Sequence, residues 1–453
     1  MGIKKYAVIG HPIGHTMSPF IHSRLFSLNS FPFEYGIMDI PSYELNKKID
    51  VFRKDTPLNG FNITIPHKQA VIPLLDKLDR KAAMCGSVNT VKNENGILTG
   101  YTTDGEGFRR AVEAAGAGLS GRVVIIGAGG AARAIAFEAA LCGADITIAT
   151  REHSAEAGNR LCKDLNRSVP GARASCCLIN DINGKIELLV NATPAGMYPN
   201  TLSCPAGAEI LSNAKYVFDA VYNPNETLML RTARENGAKA IGGMGMLVRQ
   251  AAAAQEIWLG CSFPESGIEQ ICRETAFAMK KKFGNIILCG FMGSGKTTVG
   301  KLLAKETGRR FADMDGYIEK KEGMSVSEIF SQRGESYFRT AETEASKALS
   351  IESGLVIAAG GGTVLEPQNT DAFKSNGIIV MLDANLESVK NRLKDDNTRP
   401  LLQKSGRETA TRNLYNERRA VYESAADIKV CADDLPDAVV LSIRQKLFDG
   451  TRI

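Results

Sequence analysis

Short apolar runs alternate with segments of helical period along the whole chain, and this predicts helices layered on parallel sheets, the α/β class. The runs RVVIIG at 122–127 and NIILCG at 285–290 read as buried strands. Each leads through a glycine-rich turn into a helical pattern, at 131–142 and at 296–307. Gly308 is placed to end the second helix. A further strand is predicted at 145–149, and helices at 246–258 and 268–282, the last ending in three lysines. A boundary between two halves is therefore expected at 278–284. No internal repeat, low-complexity tract or Ser/Pro-rich linker interrupts the pattern.

Bulk properties narrow the picture without filling it. At 453 residues the chain has room for about three folding units. A net charge of +5 without long basic runs gives no footing for nucleic acid, and small anionic substrates explain the basic tilt equally well. No stretch is long enough to span a bilayer and the start carries no apolar signal region, so a cytoplasmic protein without membrane partners is expected. The ten cysteines lie scattered and read as free thiols. His11, His15 and His22 lack acids at ligand spacing, which argues against a histidine metal centre. Oligomeric state is left open.

The first glycine turn is Gly127-Ala128-Gly129-Gly130-Ala131, between a strand and a helix. Glycines there let backbone approach a pyrophosphate, and the helix N-terminus offers oriented N–H groups. The strand at 145–149 ends on Thr150-Arg151, where a dinucleotide enzyme meets the adenosine ribose. An arginine there suits a 2′-phosphate, hence NADP; adjacent Glu152 keeps open a solvated surface arginine. Four loop segments carry further chemistry: Thr16 and Ser18, then Thr64 with Lys68, then Asn89, then Asp104. Hydroxyls, an amide, a lysine and a carboxylate of this kind suit binding of a carboxylated polyol and transfer of a proton.

In their order and spacing these segments resemble the shikimate dehydrogenase family, from residue 1 to about 275. The resemblance includes NATPAGM at 191–197, DAVY at 219–222 and GMGMLVRQA at 243–251. It implies a substrate-binding domain of 1–103 with 243–278 and a Rossmann-type NADP domain of 104–242. It also implies that Thr16 and Ser18 hold the substrate carboxylate and that Thr64, Asn89, Asp104, Tyr222 and Gln250 line the ring. Lys68 and Asp104 would serve the proton step, and Gly243 would sit with the cofactor. Two departures stand out: Thr16 replaces a serine, and Thr150-Arg151-Glu152 replaces an Asn-Arg-Thr clamp.

The second turn, Gly290 to Thr297, fits GxxxxGK[ST]. The backbone at Gly293, Ser294 and Gly295 would cradle phosphates, Lys296 neutralise them, and Thr297 ligate Mg²⁺. Asp313 and Asp315, two apart on an expected strand, would share one face. Arg339, the Gly360-Gly361-Gly362 turn, Arg392, Arg399 and Arg418 follow, and as a set they resemble the shikimate kinase family over 284 to about 445. The resemblance implies a P-loop (NMP-kinase-like) three-layer α/β domain at 284–453. Asp315, Arg339, Gly361, Gly362 and Arg418 would meet shikimate, with Asp315 as base. Asp313 would stand near Mg²⁺, with Thr298 and Arg392 at ATP. Arg399 would ride on a polar lid at 395–407 and reach the transferred phosphoryl group. Together the two resemblances imply a bifunctional enzyme that reduces 3-dehydroshikimate to shikimate with NADPH and phosphorylates shikimate with ATP. Quinate as substrate, or a metabolite sensor built on decayed enzyme domains, are the alternatives.

Overall fold

A computed structural model describes residues 3–13, 16–54, 58–392, 394 and 407–448. The chain forms two compact units, residues 1–197 with 203–276, and residues 198–202 with 277–452.

The first unit holds two six-stranded sheets. Strands β1 (Lys5–Gly10), β2 (Glu34–Asp39), β3 (Leu58–Ile63), β4 (Lys77–Leu78), β5 (Thr90–Glu94) and β6 (Ile97–Tyr101) build a mixed sheet in the order β2-β1-β3-β5-β6-β4. Its β3–β5 and β5–β6 pairs are antiparallel. The second sheet is all parallel: β7 (Arg122–Ile126), β8 (Asp145–Thr150), β9 (Arg173–Leu178), β10 (Ile186–Asn191), β11 (Ala214–Asp219) and β12 (Lys239–Gly242), in the order β12-β11-β10-β7-β8-β9. Counted from β7, that is the doubly wound order 3-2-1-4-5-6, with the switch point between β7 and β10. The apolar run at 123–126 is fully buried because helices cover both faces of a parallel sheet.

The second unit carries β13 (Asn285–Cys289), β14 (Arg310–Asp313), β15 (Leu355–Ala358), β16 (Gly377–Asp383) and β17 (Ile428–Cys431) as a parallel sheet ordered β14-β15-β13-β16-β17. Central β13 is buried throughout, and its Ile286, Ile287 and Leu288 anchor a core with Ile357 and Val380. The helix after the second glycine turn is Lys296–Thr307, capped by Gly308 at φ +65°, as the pattern at 296–307 requires. The helix expected at 131–142 is Gly130–Leu141, shifted by one residue, and that expected at 246–258 extends over Met244–Leu259. The segment predicted at 268–282 is Glu265–Phe283, because its acidic first turn and Lys280, Lys281 and Lys282 in its last turn suit the helix dipole. The division between the units falls inside this helix, ahead of the 278–284 expected from sequence. Among the described residues no helix is long and apolar enough to cross a membrane.

Candidate active sites

Loops at the strand ends of the first unit bring the chemistry-bearing residues to one cavity of about 230 Å³. It is lined by Thr16, Ser18, Thr64, Lys68, Asn89, Asp104, Ala131, Tyr222, Gly243 and Gln250, so segments more than 200 residues apart in sequence meet there. Gly10 ends β1 against the β3 exit, where a Cβ would strike Thr64 Cγ2 at 2.4 Å; a bare backbone is what lets the two loops close up. Lys68 stands in the short helix His67–Ala70, which His67 pins by a 2.6 Å contact between its buried ring and the Ile40 carbonyl. Asp104 opens the helix Asp104–Ala114.

Lys68 Nζ donates to Asp104 Oδ2 at 2.6 Å, with both side chains largely shielded from solvent. Asn89 Nδ2 lies 2.9 Å from Asp104 Oδ1, 2.9 Å from Thr103 Oγ1 and 3.3 Å from Gln250 Oε1, while Asn89 Oδ1 accepts from Thr103 N at 2.7 Å. Thr16 Oγ1 donates to Ser18 Oγ at 3.0 Å and accepts from Ser18 N at 3.1 Å, forming a hydroxyl pair on the cavity wall. Burial raises the Tyr222 phenol above its ordinary range and keeps it a neutral donor.

Sequence reasoning missed the layer behind this wall. Asn62 lines the cavity, accepts from Tyr35 OH at 2.6 Å and donates to Thr90 Oγ1 at 3.0 Å. Tyr35 stacks on His22 at 4.1 Å. Burial lowers the His22 pKa to about 3, so the ring is neutral. A polar Asn62 inside the otherwise apolar end of β3 was the signal available. Asp219, at the end of β11, was missed as well. Its carboxylate accepts from Asn191 Nδ2 at 2.9 Å, Val221 N at 3.0 Å and Thr227 Oγ1 at 2.6 Å. Burial nonetheless raises its pKa to about 6 against those donors. It ties the loop after β10 to the loop that carries Tyr222.

A second cavity, of about 580 Å³, lies along the first glycine turn and is lined by Ala128, Gly129, Gly130, Ser87, Arg133, Arg160 and Lys68. Lys68 thus borders both cavities. Gly127 adopts φ +112°, a backbone that side chains rarely take, and a Cβ at Gly129 or Gly130 would meet nothing within 4 Å. The turn therefore leaves an open cradle at the N-terminus of the helix Gly130–Leu141, and the donor set fits a dinucleotide pyrophosphate. A third cavity, of about 440 Å³, beyond the end of β8 is lined by Thr150, Arg151, Glu152 and His153. A cation there fits a ribose phosphate, and the carboxylate beside it opposes one.

In the second unit, Lys296 Nζ folds over the glycine loop and donates to the Gly290 and Phe291 carbonyls at 2.9 and 3.1 Å. The Ser294 hydroxyl is buried without a partner among the described residues, and Thr297 Oγ1 donates to Asp313 Oδ2 at 2.9 Å. An unsatisfied hydroxyl within a glycine loop, beside a Thr–Asp pair, fits a magnesium nucleotide. Thr298 follows in the same first helical turn. Arg392 Nη2 donates to the Ala432 carbonyl at 2.8 Å, and its Nη1 lies 3.4 Å from the Gly293 carbonyl, alongside the loop.

The two acids are not strand neighbours sharing one face. β14 stops at Asp313, whose side chain accepts from Gly316 N and caps the helix Met314–Glu322. Asp315 lies in that helix's first turn, so the helical rotation, not the pleat, sets its direction. It faces the glycine turn: a Cβ on Gly360 would come within 3.1 Å of Asp315 Oδ1. Around the same turn, Arg339 packs against Gly362, Arg418 Nη1 lies 3.4 Å from the Gly361 carbonyl, and Tyr422 OH donates to that carbonyl at 2.5 Å. Glu342 was missed. Its carboxylate is 1% exposed, pairs with Arg339 at 2.5 Å and accepts from Thr363 Oγ1 at 2.8 Å, while burial raises its pKa. Arg399 and residues 395–406 lie outside the described residues.

Comparison with known proteins finds a likeness for each part of the chain. Residues 8–91 match the family model for the shikimate dehydrogenase substrate binding domain, and residues 292–448 match that for shikimate kinase. A shikimate dehydrogenase (NADP(+)) of Caldanaerobacter subterraneus subsp. tengcongensis is 36% identical over 274 residues, 60% of this chain and 96% of the relative. The crystal structure of Thermus thermophilus shikimate 5-dehydrogenase in complex with NADP(H) and shikimate superposes with a TM-score of 0.55 at 32% identity, covering 60% of this chain and all of that one. A chorismate mutase/shikimate 5-dehydrogenase fusion protein from Clostridium acetobutylicum does so at 0.55 and 30%, covering 62% of this chain and 99% of that one.

Proposed function

Since the chain belongs to the shikimate dehydrogenase family and carries a shikimate kinase domain behind that part, we propose that it reduces 3-dehydroshikimate with NADPH and phosphorylates the resulting shikimate with ATP and Mg²⁺. The observation that carries the first step is the Lys68–Asp104 pair, 2.6 Å apart in a cavity that opens beside the glycine cradle.

NADPH, when bound, supplies the hydride. Lys68 donates a proton to the carbonyl oxygen as charge builds there, and Asp104, bonded to its ammonium, holds that ammonium in place. The Thr16–Ser18 hydroxyl pair takes the substrate carboxylate, and Thr64, Asn89, Tyr222 and Gln250 take the ring hydroxyls. The turn from Gly127 to Ala131 receives the pyrophosphate, Thr150 and Arg151 the adenosine ribose phosphate, and Gly243 borders the nicotinamide end.

In the kinase half, Asp315 orients the acceptor hydroxyl and takes its proton, while Arg339, Arg418 and the Gly361-Gly362 backbone hold the ring and carboxylate. Lys296 and the amides of Gly293, Ser294 and Gly295 stabilise the phosphates, with Thr298 and Arg392 on the nucleotide. Thr297 and Asp313 would hold Mg²⁺, which neutralises phosphate charge when bound. Arg399 is assigned to the transferred phosphoryl group. We place the chain in the cytoplasm, where both cosubstrates are at hand.

Each half-reaction is tested alone: NADP⁺ reduction by shikimate, and ADP release from MgATP with shikimate. Turnover with quinate exceeding that with shikimate would redirect the substrate assignment.

A further inference from the structure

Arg133 takes no part in the roles assigned above, yet it joins a helix beside the first sheet to a helix beside the second. It stands in the first turn of the helix Gly130–Leu141, directly after the glycine cradle. Its Nε donates to the Cys85 carbonyl, at the end of the helix Arg80–Cys85 beside the first sheet. Its Nη1 donates to Asp164 Oδ2 at 2.8 Å, on the helix Ala155–Ser168 beside the second sheet. The Phe137 ring lies 5.0 Å from the guanidinium carbon, and the side chain forms part of the wall of the dinucleotide cavity with Ser87 and Lys68.

What Arg133 grips is the root of the 86–89 strap, which hydrogen-bonds to both members of the proton-transfer pair. After Cys85 the chain turns through Gly86 at φ +61°, and Val88 N donates to the Lys68 carbonyl at 2.9 Å. Asn89 then reaches Asp104 at 2.9 Å and Gln250 at 3.3 Å. Four residues therefore connect the Arg133 contact to both members of the pair. A planar guanidinium with Asp164 on one edge and a backbone carbonyl on another holds this geometry in a way that an ammonium cannot.

We propose that Arg133 is a positioning residue that couples dinucleotide and substrate binding, fixing the 86–89 strap to the helix that receives the pyrophosphate. Each ligand then raises the affinity of the other by the same factor, as linkage requires. The proposal rests on the dehydrogenase reading above.

The test uses the full chain and two ligands that cannot react together, NADP⁺ and 3-dehydroshikimate. Calorimetry gives the NADP⁺ Kd with and without saturating 3-dehydroshikimate. The wild type is expected to tighten by about 5-fold or more. Arg133→Gln is expected to bring that ratio close to one, and Arg133→Lys not to restore it. A wild type without the tightening, or an R133Q that keeps it, overturns the proposal. So does an R133Q that loses NADP⁺ affinity equally in both titrations, since that marks a direct phosphate contact or a structural role. If R133Q does not fold, Asp164→Asn, which releases the guanidinium from its anchor, is judged by the same ratio. Failure of the dehydrogenase reading would look different: the wild type would not oxidise NADPH with 3-dehydroshikimate.

Discussion

Lys68 donates its 2.6 Å hydrogen bond to Asp104 and borders both the substrate and dinucleotide cavities, so it is the residue whose loss should cost most in the first half. Lys68→Met is expected to lower NADPH-dependent reduction by about 10²–10⁴-fold, the usual worth of one general acid. Phosphorylation of added shikimate by the same sample should stay at the wild-type rate, and a matching loss there would point to misfolding instead. His22 makes a pH prediction. Its folded pKa of about 3 lies below the ordinary 6.5, so below pH 6.5 the unfolded chain binds a proton that the folded chain refuses. The stability this contributes is complete above pH 6.5 and is lost as the pH falls towards 3, about 2 kcal/mol of it by pH 5. Trp258, the lone tryptophan, lies 5.5 Å from the His22 ring and reports unfolding of this unit. Urea midpoints followed at Trp258 should fall from pH 7.5 to pH 5, and His22→Phe should flatten that fall; an unchanged slope would clear His22. Residues such as Thr16, Ser18 and Lys68 are legible because each lies in a short segment, at the end of a strand, whose side chains carry chemistry. The Tyr35–Asn62–His22 layer is not, because Tyr35 and Asn62 meet only through pairing of β2 and β3 with β1, and His22 only through packing of the helix Ser18–Leu28 on that sheet.

At the scale of elements, strand–turn–helix signals were read almost to the residue, as at 296–307, because glycines and caps mark both ends. The difference at Asp313 and Asp315 comes from where the strand ends: two residues apart on a strand they would share a face, but the Asp313 cap starts a helix between them. The end of β8 carries a similar local decision. Arg151 and Glu152 line one cavity with opposite charge, so the carboxylate should weaken the pull on a 2′-phosphate. Glu152→Gln is expected to raise the preference for NADPH over NADH several-fold, through KM, with the gain shrinking as salt is added. A preference that stays constant, or moves towards NADH, would remove Glu152 from cofactor selection.

In the molecule as a whole, the two sheets β7–β12 and β13–β17 are parallel as the pattern predicts, whereas the first sheet is mixed, because β5 and β6 are joined by a short turn and pair antiparallel. The helix Glu265–Phe283 gives no composition break at the boundary, and its last turn serves the second unit. There Arg309 Nη2 donates to the Lys281 and Lys282 carbonyls at 3.1 and 2.9 Å, and Lys280 Nζ donates to the Lys374 carbonyl. A kinase fragment starting at residue 277 should therefore be more stable than one starting at 284, by about 1–3 kcal/mol, because the shorter one strips acceptors from a half-buried cation. Equal melting temperatures would contradict this.

One chain performs two consecutive steps, each at its own site. The direct measurement incubates the pure protein with 3-dehydroshikimate, NADPH and MgATP, and follows NADPH loss, ADP gain and the products together. At completion one NADPH and one ATP are expected to be consumed for each shikimate 3-phosphate formed. Lys68→Met should block both signals until shikimate is supplied, whereas Lys296→Ala should stop the reaction at shikimate. Phosphorylation of 3-dehydroshikimate before any reduction, or loss of both activities in Lys296→Ala while the chain stays folded, would contradict it.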